Sequence, residues 1–168
     1  MIRLPRILKN FDFSIAGLSA SGTCDTVTPP TLEIKTEDHR GGGMDMDVKL
    51  DMGMNALVME ASFAEYDPQI LTTFGRRSGN SPQYVFRGHC EDEDGNTRLV
   101  TITARGRVNK LTPAEVGPGK KNTLSITIDL RFYRMDVDGA IVHLIDPINM
   151  ERVIGGENQL AAMKASLS

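Results

Sequence analysis

Tryptophan is absent from this 168-residue chain, cysteine occurs twice, and histidine three times. Each scarcity removes a class of chemistry. Cys24 and Cys90 fit neither a disulfide framework nor a zinc site, which predicts two free thiols in a reducing compartment. His39, His89 and His143 lack the paired spacing of a metal site, and none sits in a nucleophile motif. Positive charge is not in excess: Lys plus Arg number 19 against 22 Asp plus Glu, a net charge of −3. That balance excludes the basic footprint of tight nucleic-acid binding and suits a surface past which a polyanion slides without sticking. No apolar run approaches membrane-spanning length, and the N-terminus lacks an uninterrupted apolar signal core. The expectation is one soluble domain, 1–168, made in the cytoplasm and large enough for a core without staples.

What the chain does have is alternation. Leu32 and Ile34 alternate with Glu33, Lys35 and Glu37; Arg40 and three glycines, Gly41 to Gly43, follow. A second run then sets Met44, Met46, Val48 and Leu50 against Asp45, Asp47, Lys49 and Asp51. Two period-2 runs joined by a glycine cluster predict a β-hairpin over 32–52. A Met-rich face beside a mobile tip suggests a surface that meets another protein; the same spacing fits an ordinary hairpin whose Met face packs on the chain's own core. Residues 1–20 mix Arg3, Arg6 and Lys9 with Ile7, Leu8, Phe11, Phe13 and Ile15 and read as an arm that docks elsewhere, and Thr26 to Pro30 reads as a turn. Leu57, Met59, Ala61 and Phe63 form one face of a half-buried strand. Asp67-Pro68 marks the start of a short helix.

Further on, residues 84–90 and 100–108 alternate around the turn signal Asp94-Gly95. The pattern turns Val100, Ile102, Ala104, Gly106 and Val108 inward and Thr101, Thr103, Arg105 and Arg107 outward. Leu124, Ile126, Ile128, Leu130 and Phe132 predict a long strand, which Asp138-Gly139 turns back. Leu160, Met163 and Leu167 have helical spacing within a predicted C-terminal helix over 156–168. The sum is mainly β: an antiparallel sandwich or barrel with one short internal helix and a C-terminal helix.

Motifs that would indicate catalysis fail on inspection. Glu91 to Gly95 has the look of a calcium loop, but Cys90 then falls at the first ligand position and Thr101 at the last, where a carboxylate is needed. The loop from Gly117 to Thr123 lacks the upstream glycine of a phosphate loop, and Lys120 is not followed by Ser or Thr. Cys90 as a nucleophile activated by His89 is the weakest reading, because neighbours on one strand face opposite sides. The expectation is no enzymatic activity and no cofactor. An open antiparallel sheet instead exposes unpaired backbone along its edges, and identical copies that pair through a closing rotation make a ring.

Several spaced segments occur together: Leu4-Pro5-Arg6, Phe13 to Ser19, Thr28 to Met44, Asp51-Met52-Gly53, Met59-Glu60, Ala104 to Arg107, Tyr133 to Gly139, Ile145 to Asn149, Gly155 and Leu160. In that order the sequence resembles the major tail tube proteins of contractile-tailed bacteriophages, a family that includes the tubes of R-type tailocins. The family usually ends Leu-Gly-Leu; this chain ends Ser-Leu-Ser, a departure confined to the terminal helix. The resemblance implies a β-sandwich subunit of hexameric rings that stack into a hollow tube in the virion tail. A contractile sheath drives that tube through the envelope, and DNA passes through its lumen. Implied partners are further copies of the chain and the sheath, baseplate, tape-measure and tail-terminator proteins. On this reading Arg40, Gly41, Gly42, Gly43, Met44 and Met46 are inter-subunit contacts, while Glu33, Lys35, Glu37, Glu60, Thr101 and Thr103 are lumen candidates. The Arg-Gly-Gly-Gly-Met segment favours the phage family over a type VI secretion tube. A monomeric β-sandwich binding module is the reading from a different class.

Overall fold

The computed structural model describes residues 2–168, the side chain of Ser78 apart. In chain order the elements are β1 (Ile7–Ile15), β2 (Leu18–Ser19), β3 (Cys24–Thr28), β4 (Ile34–His39), β5 (Val48–Met54), β6 (Val58–Phe63), α1 (Pro68–Leu71), β7 (Gln83–Glu91), β8 (Thr97–Pro113), β9 (Leu124–Val137), β10 (Ala140–Asp146), β11 (Glu151–Ile154), β12 (Glu157–Asn158) and α2 (Ala161–Leu167). The architecture is mainly β, and the ladders between these strands are antiparallel.

The main sheet runs β2-β1-β7-β8-β9 and forks at β9. The first part of β9, Leu124 to Asp129, pairs with β6, which carries β3 beyond it. The last part, Tyr133 to Val137, pairs with β10, followed by β11 and β12. Among the described residues β4 and β5 pair only with each other, as a separate hairpin.

The expected alternation decides which residues enter the core. Phe13, Ile15, Met59, Ala61, Phe63, Tyr84, Ala104, Val108, Leu124, Ile126 and Ile128 are buried, and Ile70 of α1 closes the cluster. Asp67 caps α1 as expected, accepting from Gln69 N–H at 2.9 Å. Phe13 lies between Phe63 and Tyr84 with ring centroids 6.1 and 6.2 Å away. A smaller cluster of Leu57, Ile102, Tyr133 and Ile145 continues the same sheet face, with Phe86 and Leu130 touching both clusters.

The Tyr84 hydroxyl is buried and makes no hydrogen bond among the described residues; Thr73 gives its own proton to Ile70 C=O at 2.6 Å. Burial pushes the phenol well above its ordinary range. An unpaired buried hydroxyl costs free energy, so Tyr84→Phe is expected to stabilise the fold by about 1 kcal/mol, or about 3 °C in Tm. Thermal unfolding of the two proteins checks this, and a loss of stability would show that the hydroxyl has a partner.

Five expectations need correction. Residues 7–15 are not part of an arm but a strand inside the main sheet; a bulge at Lys9 breaks the alternation that would have revealed it. Met1 of the expected arm lies outside the described residues. Thr26 to Thr28 belong to β3 and are not a turn. Met44 to Asp47 lie in the hairpin loop, and β5 starts at Val48. The terminal helix begins at Ala161 rather than 156, because Gly155 and Gly156, at φ +60° and +90°, turn β11 into β12. Phe132 is not in line with Leu130: β9 has one extra residue, Arg131, between the pairs Gly106–Leu130 and Arg105–Phe132. That bulge inverts the parity, so Tyr133 is buried and Phe132 lies under the Arg105 guanidinium, 4.6 Å from ring centroid to Cζ.

Candidate assembly surfaces

Three surfaces stand out: a hairpin, a polar sheet face with open edges, and an apolar groove. The hairpin is anchored at its base by Asn55 N–H donating to Glu33 C=O at 3.0 Å and by Leu32 and Met54 against the smaller core cluster, and further along β5 by Asp51, 3.9 Å from the Arg152 guanidinium of β11. Its cross-strand register places Glu37 opposite Leu50 and His39 opposite Val48, while Asp38 faces Lys49 on the other side with Nζ 2.9 Å from its carboxylate. Residues directly opposite share a face. One side of the hairpin therefore carries Val48, Leu50 and Met52 together with Lys35, Glu37 and His39, and the other is charged.

The apolar stripe is not packed on the molecule's own core: Leu50 is 45% and Met52 53% exposed. At the tip, Met44 closes the loop by accepting Arg40 Nε at its carbonyl (3.3 Å), receiving Gly41 N–H at its sulfur (3.1 Å) and donating its N–H to Gly41 C=O (3.3 Å). Of the three glycines only Gly43, at φ +82°, occupies the left-handed region. An added Cβ at Gly41 meets only ordinary contacts, and at Gly42 none. Met46 stands outward at 71% exposure.

The second surface is the outer face of the four-stranded patch β3-β6-β9-β8. Cross-strand pairing lines up Lys110, Thr127, Glu60 and Thr28 in one row, and Thr112, Ser125, Ser62 and Thr26 in the next. All eight line one shallow hollow. Hydroxyls dominate, with one base and one acid. Arg107 lies opposite Asp129, whose carboxylate accepts Asn109 Nδ2 at 2.6 Å, and Arg105 is held over Phe132.

Of the six lumen candidates, Glu60 sits in this hollow. Thr101 and Thr103 lie on the far half of β8, between Arg87 and Val85 on one side and Asp136 and Arg134 on the other. Glu33, Lys35 and Glu37 lie at or on the hairpin, so the structure does not gather the six into one wall. Sequence reading did not single out Thr26, Thr28, Lys110 and Thr112; a bulge at Asn109 between the pairs Val108–Ile128 and Lys110–Thr127 conceals the outward side of the last two.

The patch has two free edges. Among the described residues β3 pairs only with β6, and β7 leaves β8 at Arg105, so Arg107 to Pro113 pair on one side only, apart from Gly75 N–H donating to Val108 C=O at 2.9 Å and a single bridge from Phe74. The strands at the ends of the main sheet, β2 and β12, are two residues each, a length that blunts an edge.

The third surface is a groove of about 400 Å³ beside the hairpin base. Its lining combines Ile102 and Tyr133, buried members of the smaller core cluster, with half-buried side chains that include Leu32, Phe86, Cys90 and Met135.

Reactive chemistry does not assemble at any of the three. Among the described residues no group of three or more His, Cys, Asp or Glu side chains is placed to hold a metal, and no helix is long and apolar enough to cross a membrane. Burial, with Asp25 and Asp12 adding repulsion, pushes the Cys24 thiol up to about 12, far from a nucleophile's range. His89 is 3.7 Å from Glu91, while Cys90 lines the groove.

Two carboxyls carry a pH dependence. Serine hydroxyls of Ser19 and Ser21 lower Asp12 against some burial, with Arg87 and Phe13 N–H adding to the effect. Asp92 is penalised by burial, yet hydrogen bonds from Asn96 and Asp94 and the charge of Arg6 outweigh it and leave the group lowered. Both bind protons more weakly folded than unfolded. Their stabilisation is therefore complete above the ordinary value of 3.8 and is lost as pH falls below it. The urea midpoint is expected to drop between pH 6 and pH 3, and Asp92→Asn to shrink that drop; an unchanged slope would remove Asp92 from the account.

Residues 5–167 match the sequence profile of the family described as phage tail tube protein FII. The chain is 29% identical over 161 residues to the tail tube protein of Escherichia phage P2, covering 94% of each. It is 27% identical to the major tail tube protein of Serratia phage KSP20, covering 92% of this chain and 91% of that one. In fold it is similar to a chain of the sheath/tube terminator of an extracellular contractile injection system, PVC, in its extended state, with a TM-score of 0.61 at 11% identity over 81% of this chain and 99% of that one. A polar sheet face between two open edges, a hairpin with an uncovered apolar stripe and a match running from residue 5 to residue 167 lead to one conclusion: the chain belongs to the phage tail tube protein FII family.

Proposed function

We propose that this protein is the structural subunit of the inner tube of a contractile tail, forming hexameric rings that stack into a conduit for DNA. The observation that carries the reading is the patch β3-β6-β9-β8, which is apolar inside, polar outside and unpaired at both edges. Pairing the β8 edge of one copy with the β3 edge of the next satisfies the exposed backbone and continues the sheet; through a closing rotation the result is a barrel wall. Its lumen side is then the hydroxyl-rich hollow around Glu60, Ser62, Ser125 and Thr127. Each phosphate–cation contact adds salt-dependent affinity, so a wall of hydroxyls with Lys110 in the same row as Glu60 lets DNA pass without capture.

Arg40, Gly41 to Gly43, Met44 and Met46, at the hairpin tip, make the contact between rings. The outer surface meets the sheath, and the ends of the tube meet baseplate, tape-measure and terminator proteins, which places the assembled protein in the virion tail after synthesis in the host cytoplasm. Concentrating the purified protein and viewing it by negative-stain electron microscopy tests this. Hollow cylinders are expected; a monomer at every concentration, with light scattering flat, contradicts it.

A further inference from the structure

We propose that the acidic turn between β7 and β8 of one copy enters the arginine-lined hollow after α1 of the next copy. The inference rests on the tube reading and adds to it a pair of charged surfaces at the seam between neighbours. The hollow, of about 720 Å³, is lined by Arg76 and Arg77 together with Asn80, Ser81 and Gln83. Among the described residues no carboxylate lines it and neither arginine is in an ion pair; Arg76 donates its Nε–H to Thr72 C=O at 3.0 Å.

The turn presents the opposite charge. Glu93 and Asp94 are exposed and, among the described residues, form no ion pair, whereas Asp92 beside them is buried and engaged by Asn96, the Asp94 N–H and Arg6. Of the three arginines near the turn, Arg6 is committed to Asp92 and Arg98 to Asp138, which leaves Arg3. Turn and hollow lie at opposite ends of β7, a nine-residue strand, and are roughly 25 Å apart at about 3.3 Å per residue. One copy therefore cannot join its own two surfaces, and the contact is heterologous, repeating from copy to copy.

Both surfaces sit beside the edges that the tube reading joins. The hollow follows directly on Gly75, whose N–H donates to Val108 C=O of the open β8 edge. The end of β7 lies beside the end of β3, since Cys90 lines one groove with Pro29 and Pro30, which follow that strand. Pairing the β8 edge of one copy with the β3 edge of the next brings base and acid to one seam. Pairing β8 with β8 would bring arginine against arginine, so charge selects the order of edges that repeats.

Charge reversal reads the contact. Glu93→Lys/Asp94→Lys and Arg76→Glu/Arg77→Glu are each expected to raise the critical concentration for pelleting at low salt by about tenfold or more, because attraction becomes repulsion at every junction. All four substitutions in one chain restore opposite charges and are expected to return it to within about threefold of wild type. If a double variant does not fold by circular dichroism, Glu93→Lys, Arg77→Glu and their combination repeat the test with Asp94 and the Arg76–Thr72 hydrogen bond in place. Loss in each reversed variant with recovery in the combined chain supports the contact. Reversed variants that pellet like wild type, or a folded combined chain that stays in solution, overturn the contact and leave the tube intact. Wild-type protein that never pellets overturns the tube reading and this contact with it.

Discussion

Gly106→Ala is expected to cost about 4 kcal/mol, at the high end for a single substitution and close to the whole stability of many domains. The reason is steric, not conformational. A Cβ at position 106 meets the carbonyl oxygen of Asp129 at 2.1 Å, its carbonyl carbon at 2.8 Å and the Cα of Leu130 at 2.9 Å. All three are backbone atoms of the paired strand, and a backbone held in a ladder on both sides does not yield. Leu130 N–H is already committed to Leu57 C=O at 2.9 Å on the far side of β9. The substitution thus pushes β8 away from β9 where the two clusters of the core join. Gly88→Ala is the control. Its added Cβ meets Leu8 Cδ1 at 2.8 Å, the end of an exposed side chain that moves, and the Phe86 ring at 3.0 Å, which is packed but is not backbone, so a smaller cost of about 1–2 kcal/mol is expected. Urea unfolding of the two variants decides it: equal losses would mean that the close strand approach at 106 relaxes cheaply.

The second large effect falls on assembly and leaves the fold untouched. In Leu50→Asp/Met52→Asp protein the monomer should unfold within about 0.5 kcal/mol of wild type, because neither side chain contributes to a core. Both are about half exposed in the single chain, so completing their burial at a contact between copies is worth about 0.7–1.5 kcal/mol each. Losing both raises the critical concentration for polymerisation by about ten- to a hundredfold, at about 1.4 kcal/mol per decade. Pelleting across a concentration series measures the shift. Asp38→Ala, on the opposite side of the hairpin, should leave the critical concentration near that of wild type. If the double variant polymerises as readily as wild type, the stripe is not an inter-copy surface.

These two positions also mark where reading the sequence reaches its limit. The face on which Leu50 lies follows from a period-2 run beside a glycine cluster, but that pattern fits packing on the chain's own core equally well, and only the structure leaves the face exposed. Gly106 is visible in the sequence only as a glycine inside a strand. Its necessity comes from a carbonyl some twenty residues later, brought close by the extra residue Arg131 in β9. The lumen candidates divide the same way. Glu60 lies in a run with unbroken parity, which sets it on the face opposite Met59 and Ala61, whereas Thr112 follows the bulge at Asn109, which hides its side.

The family, the strand alternation through 57–63, 84–90 and 100–108, and the turns at Asp94-Gly95 and Asp138-Gly139 were determined by the chain itself. Each depends on residues close in sequence or on several motifs kept in order. Cross-strand pairing decided the rest: which edges stay open, that Glu37 shares a face with Leu50, that Phe132 yields its core place to Tyr133, and that a groove remains beside the hairpin base. A side chain's direction along a strand is local, but one inserted residue inverts it, and which strand lies alongside is set only when distant segments compete for the same hydrogen bonds.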